Sequence, residues 1–218
     1  MIYGNVHNYT SRKLQMRKKQ GKIREKYKQL QEDEKKSMGH LYFVRHGQTI
    51  WNVEGKVCGA TDIELTELGH EQAKELGEHI KADKDIKIDE IVASPLVRAK
   101  NTAEHISGIT GIPMHTDMRV IEQNFGKYEG GGRRSEEFTA AKNHFVDNFD
   151  GGESMLKVAA RVYNILDEMK KDKDKTYLIV AHNGIARIVN SYFYDMTNEE
   201  FASYGIKNCE LLCYEFKD

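Results

Sequence analysis

Cysteine is scarce in this chain, with Cys58, Cys209 and Cys213 the only three in 218 residues. An odd count without metal-ligand spacing excludes a disulfide framework and fits a reducing, cytoplasmic setting. Long apolar runs are missing too. No stretch approaches the ~18–20 apolar residues that span a bilayer, and no apolar segment near the start reads as a secretory signal. There is no internal repeat, Pro/Ser-rich linker, HExxH helix or Walker A loop. A surplus of one charge is also lacking, since the net charge is −1. The balance is uneven: residues 1–37 hold 11 Lys and Arg against 4 Asp and Glu, a net +7, which leaves about −8 for residues 38–218. That mildly acidic body carries no basic nucleic-acid footprint.

Within the basic segment, Ser11 to Lys36 suit a helix. Met16, Ile23 and Leu30 fall seven apart with Tyr27 beside them, a stripe too thin for a core. The favoured expectation is a solvated extension, or sequence preceding a natural start at Met38. The alternative is a basic amphipathic helix that meets a membrane surface, nucleic acid or a partner chain, a homo-oligomer included. The expected division is residues 1–37, extension, and 38–218, folded domain.

What is present is organised around Leu41 to Asn52, LYFVRHGQTIWN. A short apolar strand, Leu41 to Val44, stops at Arg45-His46-Gly47. At the carboxyl edge of an open α/β sheet this places a permanent cation and an imidazole where ligands bind. Arg45 offers a planar fork suited to phosphate, and a neutral His46 is a nucleophile. Gly47 lets the backbone turn and approach a ligand closely. Thr49 and Asn52 add a hydroxyl and an amide. Thr66 is an N-cap, followed by a helix striped by Ala73, Leu76, Gly77 and Ile80. A strand from Ile88 to Ala93 ends at Ser94-Pro95. Pro95 is expected to open a helix striped by Leu96, Ala99, Ala103 and Ile106, with Arg98 and Thr102 in its first turns and Gly108 past its end. Ile112 to Ile121 is a weak strand broken by Pro113. Glu122 to Gly130 then leads into the flexible loop Gly130 to Gly132. Phe138, Ala141, Phe145 and Phe149 predict a helix in a small cap-like lobe. Val158, Val162, Ile165 and Met169 stripe a long helix. The strand Thr176 to Ala181 ends at His182-Asn183-Gly184, with a helix after it that buries Ile185, Ile188, Val189 and Tyr192. A short helix, Asn198 to Tyr204, and a strand, Cys209 to Phe216, close the chain. The alternation predicts a three-layer α/β/α, doubly wound, mostly parallel sheet with a small helical lobe.

Three strands thus end in Arg45-His46-Gly47, Ser94 with Arg98, and His182-Asn183-Gly184, and parallel strands bring such ends to one edge. Two arginines call for an oxyanion with several acceptors, phosphate above all. A neutral histidine attacks phosphorus, cationic groups neutralise the equatorial oxygens, and a carboxylic acid protonates the leaving oxygen.

The motifs RHGQTxxN at Arg45 to Asn52, DxxLTxxGxxQA at Asp62 to Ala73, SPLxRA at Ser94 to Ala99, ExxFGxYEG at Glu122 to Gly130, GES at Gly152 to Ser154 and VAHNG at Val180 to Gly184 occur in this order. Together they resemble the histidine phosphatase superfamily, the phosphoglycerate mutase-like family, from about Leu41 to Phe216. The resemblance implies a phosphoglycerate mutase-like fold and a phosphohistidine on His46. It implies a phosphate pocket of Arg45, Arg98 and His182 with Thr49 and Asn52 beside it, Glu122 as general acid and then base, and the Asn183 backbone N–H facing the phosphate. No metal or other cofactor is implied. Ser94 is expected to orient His46 or the phosphate. Glu129 is the competing acid. Arg133-Arg134 are expected to be solvated, with an acidic substrate tail as their alternative partner, and Cys58 is expected to be a packed thiol. Hydrolysis of a small phosphomonoester is the expected activity. A phosphoglycerate mutase is the alternative, and a phosphate-binding scaffold comes third. Against the mutase stand the short span between Glu122 and His182 and the order Asn-Gly after His182. Activity should fall at both pH extremes, and Arg98→Ala should weaken anion binding far more than stability.

Overall fold

The computed structural model describes residues 39–217; the expected helix over 11–36 and the boundary at 37/38 lie outside the described residues. Strand β1 is His40–Arg45, β2 Glu90–Ala93, β3 Met114–Thr116, β4 Tyr177–Ala181 and β5 Leu211–Glu215. The sheet order is β3-β2-β4-β1-β5. β1 and β2 both pair parallel with β4, β3 pairs parallel with β2, and only β5 runs antiparallel, along β1. The helices are α1 Ile50–Val53, α2 Glu67–Ala82, α3 Val97–Thr110, α4 Glu136–Ala141, α5 Met155–Lys171, α6 Asn183–Phe193 and α7 Asn198–Ser203.

The inner strands β1, β2 and β4 are covered on both faces, which explains their near-continuous apolar character. On β4, Leu178 and Val180 pack with Leu76, Ile80, Ala103 and Ile106 of α2 and α3. Ile179 and Ala181 pack with Val158, Val162, Ile165, Ile185 and Val189 of α5 and α6 on the other face. The period-2 alternation of a strand thus divides the core into two halves around one sheet. A third, smaller cluster of Val57, Phe125, Phe138 and Phe149 builds the lobe beside the carboxyl edge.

Several local expectations change. Helix α3 starts at Val97 with Leu96 at its N-cap, so Pro95 lies before the helix. The Val97 N–H is taken by Asp62 Oδ1 at 2.8 Å. Gly108 is inside α3, which ends at Gly111 in the left-handed conformation, φ 78°, a conformation glycine adopts without a Cβ clash. The weak strand over 112–121 shrinks to β3 and a 3₁₀ turn at Met118–Val120. The helix expected from Phe138 to Phe149 stops at Ala141: Phe145 packs against the main core instead, edge-on to Phe201 at 5.6 Å between ring centres. The last strand begins at Leu211, because Cys209 sits at φ 55°, outside strand geometry. None of the described helices is long and apolar enough to cross a membrane.

Candidate active site

The sheet register assembles the site. Arg45 is opposite Ala181 and Ala93 opposite Val180. His46 N–H extends the ladder to the Ala181 carbonyl at 2.9 Å, and Ser94 N–H to that of Val180 at 3.0 Å. His46, Ser94 and His182 therefore leave three neighbouring strands at one level. The two imidazole centres are 5.1 Å apart.

His46 is buried, and its Nδ1 lies 2.7 Å from the Gly47 carbonyl. A carbonyl only accepts, so Nδ1 carries the proton and Nε2 keeps its lone pair. Burial, followed by the Arg98 and Arg45 cations, holds the imidazole well below its ordinary pKa, so the neutral form prevails. The Gly47 backbone does come into close contact, but with protein: a Cβ there would lie 2.3 Å from the Gly69 carbonyl of α2. The requirement for glycine at 47 is accounted for by this contact with α2. Its N–H donates to Thr102 Oγ1 at 3.0 Å, which ties the nucleophile loop to α3.

Arg98 is fully buried. Its Nη1 donates to the Thr61 carbonyl at 2.9 Å and its Nη2 to that of Gly59 at 2.7 Å. Glu129 holds that loop in turn. Its carboxylate accepts the N–H groups of Ala60 and Thr61 at 2.8 Å each and of Phe125 at 3.0 Å, together with the Thr61 hydroxyl. Glu129 is thus a clasp, and its competing role as the acid is withdrawn. The expectation that Arg98→Ala spares stability is revised as well, because that change leaves two loop carbonyls and a buried volume unfilled. Arg45 Nη1 donates to the Ile206 carbonyl at 2.8 Å, and the Nε of both arginines has no hydrogen-bond partner among the described residues.

His182 is fully buried and caps α6. Its Nε2 is 2.7 Å from Ser94 Oγ, and its Nδ1 has no partner among the described residues. Ser94 Oγ already accepts from Leu96 N–H at 3.3 Å. Its hydroxyl proton is therefore free to go to Nε2, which leaves the Nδ1 proton for a ligand. Burial, then Arg98, His46 and Arg45, push His182 well below its ordinary pKa. With Ser94 donating to Nε2, His182 is a neutral imidazole 5.1 Å from the His46 ring whose Nδ1 has no partner among the described residues. The role of a standing cation, expected from sequence, is not the one its surroundings favour. Ser94 orients His182, one step behind the site.

Glu122 is buried in the same cleft. Its two oxygens accept the N–H groups of Gln123 at 2.8 Å and Gly184 at 2.9 Å. Those bonds lower its pKa, yet burial outweighs them and the carboxyl is raised above 4.5. Gly184 is required for this approach, since a Cβ there would be 2.3 Å from Glu122 Oε1.

Thr49 and Asn52 form the capping box of α1. Thr49 is fully buried there and does not line the cleft, whereas Asn52 does. Asn183 lines it too, with Oδ1 accepting Ile206 N–H at 3.0 Å. Its own N–H is one of the orphan donors at the start of α6. Cys58 faces the cleft, and burial raises its thiol to about 11, so it is protonated at neutral pH.

The cleft measures about 300 Å³, and its outer part carries residues that sequence reasoning missed or set aside. Arg187 is four residues after Asn183, hence on the same helical face; that spacing was the available signal. Lys142, Lys56 and Arg133 also line the cleft, while Arg133 and Arg134 are exposed, in keeping with the solvated placement expected for them. Asn208 Nδ2 donates to the His46 carbonyl at 2.8 Å and to Asn52 Oδ1 at 3.2 Å; nothing in the sequence marked it. Among the described residues no group of three or more His, Cys, Asp or Glu is placed to hold a metal ion.

Residues 41–218 match the family model of the histidine phosphatase superfamily (branch 1). The chain is 38% identical over 147 residues to a protein of Bacillus subtilis named an uncharacterized phosphatase, covering 66% of this chain and 72% of that protein. It is 29% identical over 184 residues to a protein of Erwinia tasmaniensis named a probable phosphoglycerate mutase, covering 80% and 83%. A solved mycobacterial glucosyl-3-phosphoglycerate phosphatase superposes with TM-score 0.69 at 26% identity, covering 81% of this chain and 89% of that one. The register, the paired histidines and these matches agree: this chain belongs to the histidine phosphatase superfamily.

Proposed function

We propose that this chain is a metal-independent phosphatase that hydrolyses small phosphomonoesters through a phosphohistidine on His46. The observation that carries the reading is the His46 tautomer, with Nδ1–H on the Gly47 carbonyl and the Nε2 lone pair available in the same cleft as Glu122, whose pKa burial raises. In the first step Nε2 attacks phosphorus, the ester P–O bond breaks, and Glu122 gives its proton to the leaving oxygen. Arg45, Arg98 and the His182 Nδ1–H meet the charge on the equatorial oxygens, with Asn52 and the Asn183 N–H at the rim. In the second step Glu122, now a carboxylate, takes a proton from water. The water oxygen attacks phosphorus, the N–P bond breaks and inorganic phosphate leaves. The three free cysteines suit a cytoplasmic setting for this chemistry.

The runner-up is a phosphoglycerate mutase that uses the same phosphohistidine, favoured by the name of the Erwinia relative. Phosphate release from a panel of phosphomonoesters, with chelator present and His46→Ala as control, separates the two. Chelator-resistant release lost in the variant supports the phosphatase. Isomerisation of 3-phosphoglycerate without release replaces it with the mutase.

A further inference from the structure

Arg45 lines the cleft and Arg98 lies buried next to His46, fixed cations enough for one phosphoryl group. The wall above them carries further cations with little to neutralise them. Arg187 is only 5% exposed, and its Nε and Nη1 donate to nothing among the described residues. A buried guanidinium without partners is costly unless a ligand completes it. Among the described residues Glu122 is the one carboxylate lining the cleft. No hydrogen bond joins it to Arg187: its oxygens accept the Gln123 and Gly184 N–H groups, and its charge reaches Arg187 only through space, raising a pKa that burial lowers more. Arg187 is held over the Phe201 ring, 6.0 Å from its centre, which fixes it in place. Lys142 stands over Phe138 at 5.6 Å, and its pKa is lowered by burial and then by Arg187. The two cations therefore repel across the same space. Lys56 is already paired with Glu54 at 2.7 Å and contributes less.

We propose that Arg187 and Lys142 form a second oxyanion subsite, so that the preferred substrates are small phosphomonoesters with a second anionic group, a carboxylate or another phosphate. This rests on the phosphatase reading for the floor of the cleft. Arg187 is its specificity residue: a fixed fork suits a planar or tetrahedral oxyanion, and a cleft of about 300 Å³ admits only a short body between the two ends.

Two matched substrate pairs test this: 3-phosphoglycerate against glycerol 3-phosphate, and fructose 1,6-bisphosphate against fructose 6-phosphate. One charge-assisted contact predicts a preference on the order of tenfold or more in kcat/KM for the doubly anionic member of at least one pair, and the pair that shows it tells carboxylate from phosphate. Arg187→Met should bring that ratio towards one and Arg187→Lys should keep part of it. Lys142→Ala, at a half-exposed site, lowers the ratio without threatening the fold. Calorimetric titration of the same compounds into His46→Ala protein reads binding apart from turnover. Tighter binding of the doubly anionic member without release by the wild type would retain the subsite and reject the phosphatase. Release from both members at equal kcat/KM, or a ratio unmoved by all three variants, overturns the subsite.

Discussion

Replacing Glu122 by glutamine keeps the volume and removes the proton. The expected losses can be worked from its contacts. The carboxyl receives two backbone N–H groups, at 2.8 and 2.9 Å, one on each oxygen. Glutamine has one acceptor oxygen, so its NH₂ must face one of those N–H donors. That leaves a buried donor unpaired, at a cost of about 1–3 kcal/mol, or roughly 2–12 °C in melting temperature for a domain of this size. Catalytically, loss of a general acid costs about 10²–10⁴-fold on an alkyl phosphate, whose leaving oxygen needs a proton. An aryl phosphate such as p-nitrophenyl phosphate needs none, so phosphorylation of His46 should survive while hydrolysis of the phosphohistidine, deprived of its base, slows. Stopped-flow absorbance should then show a burst of one nitrophenolate per site followed by slow turnover. Equal losses on alkyl and aryl substrates with no burst would refute Glu122 as the acid.

Glu129→Gln should raise the KM for the phosphoryl group while leaving the acid's pH limb in place, because it loosens the 59–61 loop that holds Arg98; an unchanged KM in steady-state assays would deny the clasp. Gly184→Ala should push the Glu122 carboxyl aside and lower kcat by about tenfold or more, read against p-nitrophenyl phosphate, where the loss should be smaller. The pH profile should be bell-shaped, with the acid limb set by His46, which must be neutral, and the alkaline limb by Glu122, which must be protonated; loss of the alkaline limb in Glu122→Gln checks the assignment. Stability should also fall as pH drops below 6.5, because the unfolded chain then takes up protons that the buried His46 and His182 refuse. Glu122 acts in the opposite sense: its raised pKa makes the folded state bind the extra proton, so stability declines as pH rises from 4.5 through its folded value. Thermal melts of the wild type and of His182→Gln, whose acid-side slope should be smaller, measure this.

The convergence at the carboxyl edge was legible because each chemical motif directly follows an apolar run, and parallel pairing leaves those ends no other place. What escaped was set by packing between distant segments. Thr49 looked like a ligand donor, yet a Thr with an Asn three residues on also closes a capping box, and that use prevailed. Glu129 and Glu122 share one motif, and only the fold shows that the first meets the backbone at 60–61 while the second meets α6. Phe145 and Phe149 carry the same residue type four positions apart, yet they serve different cores, since the chain leaves helix after Ala141. Arg187 was hidden in a helix read for its apolar face, although its spacing from Asn183 was visible.

The most direct test of the account is to quench the enzyme during turnover of a phosphomonoester in alkali, which preserves phosphohistidine, and to map the adduct by mass spectrometry. The account predicts one phosphoryl group on His46, lost on acid treatment and absent from His46→Ala. A phosphoryl group on another residue, or active turnover with no adduct under conditions that slow the second step, such as in Glu122→Gln, would contradict it.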